Sequence, residues 1–328
     1  MNSELIHKVA ARTMRWKFRT WGFGEAVALR GLLAAYRVTG STEYFGFTSA
    51  LLNAYVGRGV ARSNEEHVAP GRELLFVYEQ SGDEDFLIAA KKLATMHARC
   101  SPNSHGARIH RPDLPGWRRQ IWVDCMEVDA PFLVRLGHLT GAAEYFAQAA
   151  EEITAYARCL QDEATGLFFH GWEEDCGSNG QLWARGNGWA LMGLVETLKL
   201  LPGAETRKNE LLDRLQSQCQ SLRRLQDEGG LWHTVINHSE TYLESTLAVM
   251  AAYALREAFN AGLLSERVFG EMERRARGAA MRLVADNGAL ELVSDATPIG
   301  ELKIYATRPF GVFPWGQGPL LLLLCQDF

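Results

Sequence analysis

Apolar residues recur at helical spacing along most of this chain. In successive segments they fall three or four positions apart, and alternation with a period of two is not sustained over a useful length. The pattern predicts an all-α protein. We expect about twelve helices, over the ranges 3–17, 23–38, 42–57, 69–80, 84–100, 126–138, 142–160, 187–200, 204–226, 243–259, 264–285 and 316–326.

The turns between the predicted helices repeat. VTGSTEYF (38–45), QSGDEDFL (80–87) and LTGAAEYF (139–146) each place a glycine after one helix and an acidic residue with an aromatic in the next. Glycine favours the end of a helix, and an acidic first turn favours the start of another. The recurrence indicates a helical hairpin repeated every roughly 50 to 60 residues, stacked into either an open solenoid or a closed ring.

Polar and aromatic residues that packing does not require precede the first helix of each predicted hairpin. These segments are TWGFGE (20–25), EEHVAPGR (65–72), IWVDCMEVDAP (121–131), WARGNGW (183–189), YLEST (242–246) and PWGQGP (314–319). In a ring all six would converge at one end, whereas a solenoid would spread them along an edge. We therefore favour a six-hairpin (α/α)6 barrel of six inner and six outer helices, forming one domain over 1–328. Short strands or a long loop in 287–313 are expected to lie over the cleft.

Composition narrows the class of partner. The chain is 47% hydrophobic with a net charge of -5 and a pI near 6.0, which argues against a protein that binds nucleic acid by neutralising phosphates. The N-terminus lacks a secretory signal pattern, and the longest apolar run, 319–325, is too short to cross a bilayer. Six cysteines without a C-x-x-C pair favour reduced thiols. We expect a cytoplasmic protein without a membrane partner that acts on small molecules; its oligomeric state stays open.

Carboxylates interrupt the otherwise apolar stretch IWVDCMEVDAPFL (121–133). Pro131 suits the first turn of a helix, so Asp129 is expected to be its N-cap. Asp124 has no capping role and follows Trp122. A carboxyl group that an aromatic neighbour shields from water tends to keep its proton at neutral pH, as a general acid must. From the residues alone, a buried and hydrogen-bonded structural aspartate is an equal alternative.

Two further segments carry histidine in a context typical of carbohydrate sites. GLFFHGWEED (166–175) places His170 near a Gly-Trp pair, and aromatic faces can stack on sugar rings while histidine bonds hydroxyls. The alternative is a core histidine. The segment 106–117 contains His110, for which an ordinary surface loop is the alternative. Cys125 adjoins the acidic position and could be a nucleophile, although simple packing explains a thiol among apolar neighbours.

The segment WARGNGW combines an arginine with two glycines. Arg185 could hold a carboxylate with a bidentate fork, while Gly186 and Gly188 would let the backbone approach a ligand closely. A loop that merely needs two glycines is the alternative. The chain has no dinucleotide fingerprint after a predicted strand, no Walker sequence, no H-E-x-x-H and no Gly-x-Ser-x-Gly elbow.

Taken in order, these motifs resemble glycoside hydrolase family 105, the unsaturated rhamnogalacturonyl hydrolases, and more distantly the unsaturated glucuronyl hydrolases of family 88. The similar segments run through nearly the whole chain: WGFGEAVALRGLL, HVAPGRELL, IHRPD, WVDCM, TGLFFHGWEE, WARGNGW, LQDEGGLWHTV, YLESTLAVMAAYAL and WGQGPLLLL. The resemblance implies a six-hairpin barrel that removes a 4,5-unsaturated uronic acid from the non-reducing end of an oligosaccharide, with no metal or organic cofactor.

The resemblance also implies roles for residues of this chain. Asp124 would donate the proton and later take one from water, and Glu66 would assist or orient it. Glu66 departs from the family pattern, because many members carry aspartate immediately before H-V-A-P-G. Arg185 would hold the uronate carboxylate. The substrate-binding residues that the resemblance implies are His110, Trp122, His170, Trp172, Arg185, Trp189 and Trp21.

Other functional classes stay open at this point. A helical-repeat binding scaffold would need only interchangeable polar residues at the helix starts. An isomerase or epimerase would carry several histidines on inner helices, and a polysaccharide lyase would need a tyrosine or lysine base near an arginine. Within the hydrolases, the sequence does not distinguish galacturonyl from glucuronyl substrates, nor does it identify the aglycone.

Overall fold

A computed structural model of the protein describes residues 3–18, 22–61, 67–116 and 119–326. These residues contain thirteen helices: α1 Ser3–Met14, α2 Phe23–Thr39, α3 Thr42–Gly57, α4 Gly71–Ser81, α5 Glu84–Ala98, α6 Cys125–Thr140, α7 Ala143–Leu160, α8 Ala184–Leu200, α9 Lys208–Leu225, α10 Thr246–Asn260, α11 Glu266–Arg282, α12 Leu302–Ala306 and α13 Pro314–Cys325.

Six helices form a closed inner ring. Each of α2, α4, α6, α8 and α10 contacts the next, α10 contacts α13, and α13 packs against α2. The outer layer is α1, α3, α5, α7, α9 and α11, and the five-residue α12 is additional. Helices α8 and α10 are buried nearly all round, as expected for helices with neighbours on every side. The predicted six-hairpin barrel is confirmed.

The repeated turns have the predicted chemistry. Gly40, Gly82 and Gly141 end α2, α4 and α6 with φ of 70°, 71° and 70°, a left-handed conformation that glycine adopts without steric cost. The N–H of each bonds the carbonyl oxygen four residues earlier. The contact that closes the ring also requires glycine: a Cβ on Gly31 would lie 2.7 Å from the Gly318 carbonyl oxygen.

Seven short strands occur in the described residues, and all pair antiparallel. They are β1 Gln120–Trp122, β2 Gly171–Glu173, β3 Gly177–Ser178, β4 Trp232–His233, β5 Leu243–Glu244, β6 Val293–Ser294 and β7 Phe310–Gly311. Strands β1, β5 and β7 end within three residues of the starts of the inner helices α6, α10 and α13. The strands in the segment 287–313 confirm that part of the prediction.

The start of α6 corrects one prediction. The helix begins at Cys125, with Asp124 at the N-cap position, so Asp129 is not an N-cap and Pro131 lies inside the helix. The amide N–H groups of residues 126 and 127 bond the carbonyl oxygens of Val123 and Asp124, which starts the helix a turn early. Asp129 instead turns its carboxylate into the interior.

The start of α8 corrects a second prediction. The helix begins at Ala184, so the glycines of WARGNGW are helical. A Cβ on Gly186 would lie 2.7 Å from Val123, and one on Gly188 would lie 2.4 Å from the sulfur of Met250. These glycines allow close packing between inner helices rather than close approach to a ligand.

The helices that the structure describes include none long and apolar enough to span a membrane.

Candidate active site

Asp124 and His170 face each other at the end of the barrel where the inner helices begin. His170 Nε2 lies 3.6 Å from Asp124 Oδ2, slightly beyond hydrogen-bond distance. Both side chains are buried. Within the described part of the chain, neither of these two atoms has a hydrogen-bond partner. Because buried polar atoms are normally satisfied, this pair indicates a place where a ligand or water interacts.

Strand pairing and one amide position His170. In the β1–β2 pair Trp122 lies opposite Gly171, and Val123 N–H bonds the His170 carbonyl oxygen at 3.0 Å. Asn187, in the first turn of α8, accepts from the N–H of Phe168 and donates to its carbonyl oxygen, both at 2.9 Å. The segment that carries the histidine is therefore fixed from both sides.

A second group of residues holds the other ring nitrogen of His170. Its Nδ1 lies 2.7 Å from the hydroxyl of Tyr305, which is buried in α12. The amide of Asn179 donates to the same hydroxyl at 3.0 Å. Burial lowers the pKa of His170, while Asp124 acts in the opposite direction. The imidazole is therefore neutral at physiological pH.

Aromatic rings enclose this pair. The ring of Trp122 lies 5.1 Å from that of His170 with an edge-to-face geometry, and Trp183 lies 4.2 Å from the same imidazole. The indole nitrogen of Trp183 and the side-chain oxygen of Gln181 have no hydrogen-bond partner among the described residues. The surroundings of the pair thus combine apolar ring faces with unsatisfied polar atoms, a composition suited to a sugar.

Arg185 lies beside this group but its terminal nitrogens are occupied. Nη1 donates to Glu244 Oε1 and to the backbone and hydroxyl of Ser294, all at 2.9 Å, and Nη2 donates to Asp295 O and Thr297 Oγ1. The guanidinium also stacks over Trp183 at 4.4 Å. This geometry does not favour the predicted bidentate grip on a substrate carboxylate; it ties α8 to the segment after β6.

His110 belongs to a neighbouring buried cluster. Its ring lies 4.6 Å from that of Trp122, and its Nδ1 lies 3.3 Å from His67 Nε2 and 3.7 Å from Cys125 Sγ. Burial, followed by the charge of His67, lowers the pKa of His110 well below its ordinary value. Nδ1 of His110 thus faces interior groups, and its donor set is one that could hold a metal.

The remaining predicted residues are placed less centrally or not at all. Trp172 is half-buried in β2, with its ring edge-to-face on His105 at 5.2 Å. Trp189 is buried one helical turn after Arg185, and its indole nitrogen has no partner among the described residues. Glu66 and Trp21 lie outside the described residues. Their predicted roles stay predictions.

Sequence reasoning missed several residues of the site. Trp183 stands in the WARGNGW motif but was overlooked in favour of the arginine. Tyr305 and Asn179 lie in segments expected only to cover the cleft, and nothing in their local sequence signals a histidine partner. They could be found only by knowing that α12 folds back over β2 and β3.

The arrangement can carry out proton transfer. A buried carboxyl group next to a neutral imidazole, beneath an indole, can give a proton to a substrate and then be stabilised as the carboxylate. Nothing in this pair requires a second carboxylate on the opposite face, which ordinary glycosidases use.

Comparison with known proteins agrees with the fold. The family model described as Glycosyl Hydrolase Family 88 matches residues 1–327. The unsaturated rhamnogalacturonyl hydrolase YesR of Bacillus subtilis (strain 168) is 26% identical over 331 residues, covering 99% of this chain and 94% of YesR.

Solved structures show the same architecture. A possible member of the GH105 family from Salmonella enterica has a TM-score of 0.91 at 24% identity, covering 100% of this chain and 94% of that one. The unsaturated glucuronyl hydrolase from Bacillus sp. GL1 has a TM-score of 0.77 at 17% identity, covering 98% and 94%. At these identities the likeness concerns the fold, whereas the family model spans nearly every residue: the protein belongs to Glycosyl Hydrolase Family 88.

Proposed function

We propose that this protein removes a 4,5-unsaturated uronic acid from the non-reducing end of an oligosaccharide produced by a polysaccharide lyase. The substrate we favour is the unsaturated galacturonyl group of rhamnogalacturonan fragments. Membership of the family and the likeness to YesR along almost the whole chain support this proposal. The single observation that carries it is the buried Asp124–His170 pair, with opposed atoms that have no other partner in the described residues.

Hydrolysis of such a substrate requires a single group that donates and accepts protons. An unsaturated uronic acid contains an enol ether between carbons 4 and 5. Protonation of carbon 4 places positive charge on carbon 5 and the ring oxygen. Water then adds at carbon 5 and loses a proton. The resulting hemiketal opens between carbon 5 and the ring oxygen, and the hemiacetal that this leaves at carbon 1 breaks down to release the aglycone sugar. One carboxyl group can donate in the first step and accept in the second.

In this proposal Asp124 is the acid and base. It gives its proton to carbon 4, and the carboxylate that remains is stabilised by the N–H of His170. Their separation of 3.6 Å can shorten when substrate enters, because catalytic hydrogen bonds are often long before binding. Trp122 covers the pair and limits access of bulk water.

The other residues act around this pair. We assign to Arg185 the positioning of Trp183 and of the segment that begins at Ser294, since its donors are directed there. Trp172 and Trp189 are proposed to shape the sugar site, Glu66 to assist the proton donor, and Trp21 to contact substrate. The proposal places the protein in the cytoplasm; all six cysteines lie in the described residues and none forms a disulfide.

The substitution Asp124→Asn tests this assignment. The amide has the same size but cannot donate the proton, so the loss of ultraviolet absorbance that accompanies hydration of the conjugated enol ether should slow by about 10² to 10⁴-fold. Asp175→Asn is the matched control, because it removes an exposed carboxylate of the β2–β3 hairpin. We expect the control to keep its activity and both variants to keep their melting temperature.

The choice of substrates separates the alternatives. An unsaturated galacturonyl disaccharide, an unsaturated glucuronyl disaccharide and an intact polymer are supplied in parallel. Loss of absorbance with the first supports the proposed specificity, and loss only with the second shifts it to glucuronyl substrates. A gain of absorbance with the polymer identifies a lyase. Full activity in Asp124→Asn would overturn the assignment of the acid.

A further inference from the structure

Three possible metal ligands from separate segments meet in the interior next to Trp122. His67 Nε2 lies 3.3 Å from His110 Nδ1 and 3.5 Å from Cys125 Sγ, and the last two atoms are 3.7 Å apart. All three side chains are buried. The ligand atoms therefore form a nearly equilateral triangle.

Hydrogen bonds within the triangle do not account for its shape. His67 Nδ1 donates to Asp129 Oδ2 at 2.7 Å, since an ionised carboxylate only accepts. A neutral His67 then offers a single lone pair at Nε2, which can accept from His110 or from Cys125 but not equally well from both. A cation near the centre, by contrast, attracts all three atoms at once.

The size of the triangle fits a tetrahedral zinc-class ion. Zinc binds histidine nitrogen at about 2.0 to 2.1 Å and cysteine sulfur at about 2.3 Å, which at tetrahedral angles separates the ligand atoms by about 3.3 to 3.6 Å. The three observed edges are 3.3, 3.5 and 3.7 Å. The centre of such a triangle lies about 2 Å from each atom, which is bonding distance for this metal.

The groups around the triangle hold one of its histidines in the orientation that a metal ligand needs. Metal-bound histidines commonly donate their second nitrogen to a carboxylate, as His67 does to Asp129. The hydroxyl of Tyr156 donates to the same carboxylate oxygen at 2.9 Å. His67 also has a φ of 50°, an uncommon left-handed conformation for a residue other than glycine, and such strain concentrates at functional positions.

We propose that His67 Nε2, His110 Nδ1 and Cys125 Sγ bind one divalent ion of the zinc class. Binding releases the thiol proton of Cys125 to solvent, and both histidines coordinate in their neutral form. The thiolate and the Asp129 carboxylate together offset the two charges of the ion. One tetrahedral position is left for a water molecule.

Two competing interpretations are weaker. His67, His97 and Asp129 also lie close together, but in that group His67 Nδ1 and Asp129 Oδ2 are 2.7 Å apart and are already bonded to each other. Cys125, His67 and Asp129 are also arranged like a thiol nucleophile, its histidine base and the carboxylate that orients the base. The sulfur is fully buried, however, and a sugar substrate cannot reach it, whereas a small ion can enter as the segments move.

The ion would hold three parts of the protein together. Cys125 is the first residue of α6 and follows Asp124 directly, and His110 packs on Trp122. The metal is therefore expected to fix the start of α6. The ligands lie 43 and 15 positions apart in sequence, which is why no compact metal motif is visible there. Metal binding is measured directly, so its result does not depend on whether the proposed hydrolase activity is correct.

Metal content and cobalt spectroscopy test the inference. The full-length protein is stripped with a chelator, incubated with excess Zn²⁺, desalted and analysed by mass spectrometry for zinc; we expect roughly one ion per chain. With Co²⁺, the wild type should show a thiolate-to-cobalt charge-transfer band and intense tetrahedral d–d absorption. Cys125→Ser should lose the charge-transfer band and retain less than about a fifth of the zinc.

Controls separate the site from adventitious binding and from misfolding. Cys219→Ser removes another buried thiol, in α9, and should bind zinc and cobalt like the wild type. His110→Gln is a second test of the triangle, with circular dichroism to verify that each variant is folded. Zinc below about a fifth of an equivalent in the wild type, or equal binding in Cys125→Ser, would overturn the proposal.

Discussion

The protonation of His170 depends on what surrounds its ring. Burial disfavours the imidazolium, Arg185 adds to that effect, and Asp124 opposes it, with a net lowering of the pKa. A neutral ring can donate from one nitrogen and accept at the other. This is the state in which it can bridge Tyr305 and Asp124.

The lowered pKa makes stability depend on pH in a defined direction. Below about pH 6.5 the unfolded chain protonates this histidine while the folded chain does not, so stability is lost as the pH falls. Urea unfolding of the wild type and of His170→Gln at pH 7.5 and 5.5 measures the effect. We expect the wild type to lose more stability on acidification, by up to about 1.4 kcal/mol per pH unit below pH 6.5.

His138→Gln is the control for that experiment, because it removes an exposed imidazole. Its loss of stability on acidification should equal that of the wild type. Equal losses in the wild type and His170→Gln would mean that His170 is not held neutral by its surroundings.

At this scale the sequence singled out the residues that we propose to react, but not their partners. Asp124 and His170 stand in stretches whose composition is unusual for their predicted elements, so they could be selected from the chain itself. The hydroxyl of Tyr305 is 135 positions from His170 and has an ordinary sequence context. The predicted carboxylate fork of Arg185 could not be judged without knowing that Ser294 and Glu244 would occupy it.

Among the elements, the short helix α12 has the clearest effect on the site. Burial raises the pKa of Tyr305, while hydrogen bonds from Asn179 and from the Gly300 backbone act in the opposite direction. Because Asn179 donates to the tyrosine oxygen, the tyrosine's own proton can bond Nδ1 of His170. The histidine then carries its proton on Nε2, which faces Asp124.

Tyr305→Phe tests this role of α12. The ring stays buried, but the bond that fixes the tautomer of His170 is lost, so we expect kcat to fall by about tenfold with a smaller change in KM. Rates are followed by the loss of ultraviolet absorbance of the unsaturated substrate. Because the tyrosine acts only through the histidine, Tyr305→Phe in a His170→Gln background should add little further loss.

Tyr253→Phe is the matched control. It removes the hydroxyl of a half-buried tyrosine, which bonds Glu196 at 2.8 Å far from the start of α6. It should leave kcat unchanged. If both tyrosine variants slow the reaction equally, the effect reflects general stability, and the positioning role of α12 is wrong.

The elements show why boundaries were harder to predict than helices. Apolar residues at helical spacing identified every inner helix, since each packs against neighbouring helices of the barrel. The N-cap of α6 and the start of α8 were misplaced because Pro131 and the glycines of WARGNGW are typical of helix ends and loops. The two glycines are instead required by packing. Gly186 faces Val123 and Gly188 faces Met250, and these contacts exist only after the ring has closed.

The whole barrel has a second polar interior at the end opposite to the candidate site. A cavity of about 790 Å³ is lined by residues of the six inner helices. At its inner end Arg30 of α2 bonds Glu127 of α6 and lies 3.8 Å from Glu73 of α4. Burial raises the pKa of Glu73 to about 7, with Arg30 acting in the opposite direction. Arg30 thus faces carboxylates from two helices, and Arg72 of α4 also bonds Glu127.

Arg30→Met should therefore destabilise the barrel as a whole. The buried carboxylate of Glu73 loses its counter-ion and that of Glu127 keeps only Arg72, which costs about 3 to 5 kcal/mol in urea unfolding at pH 8. A carboxyl group with a raised pKa favours the protonated form in the folded state, and without Arg30 the pKa of Glu73 rises further, so the deficit should shrink at pH 5.5.

Arg37→Met, two turns later on α2, removes an arginine that stacks over Phe76 and should cost far less. The double variant Arg30→Met/Glu127→Gln should recover part of the loss, because neutralising one carboxylate removes part of the penalty. A deficit that stays constant between the two pH values would show that lost packing, not the uncompensated charge, is responsible.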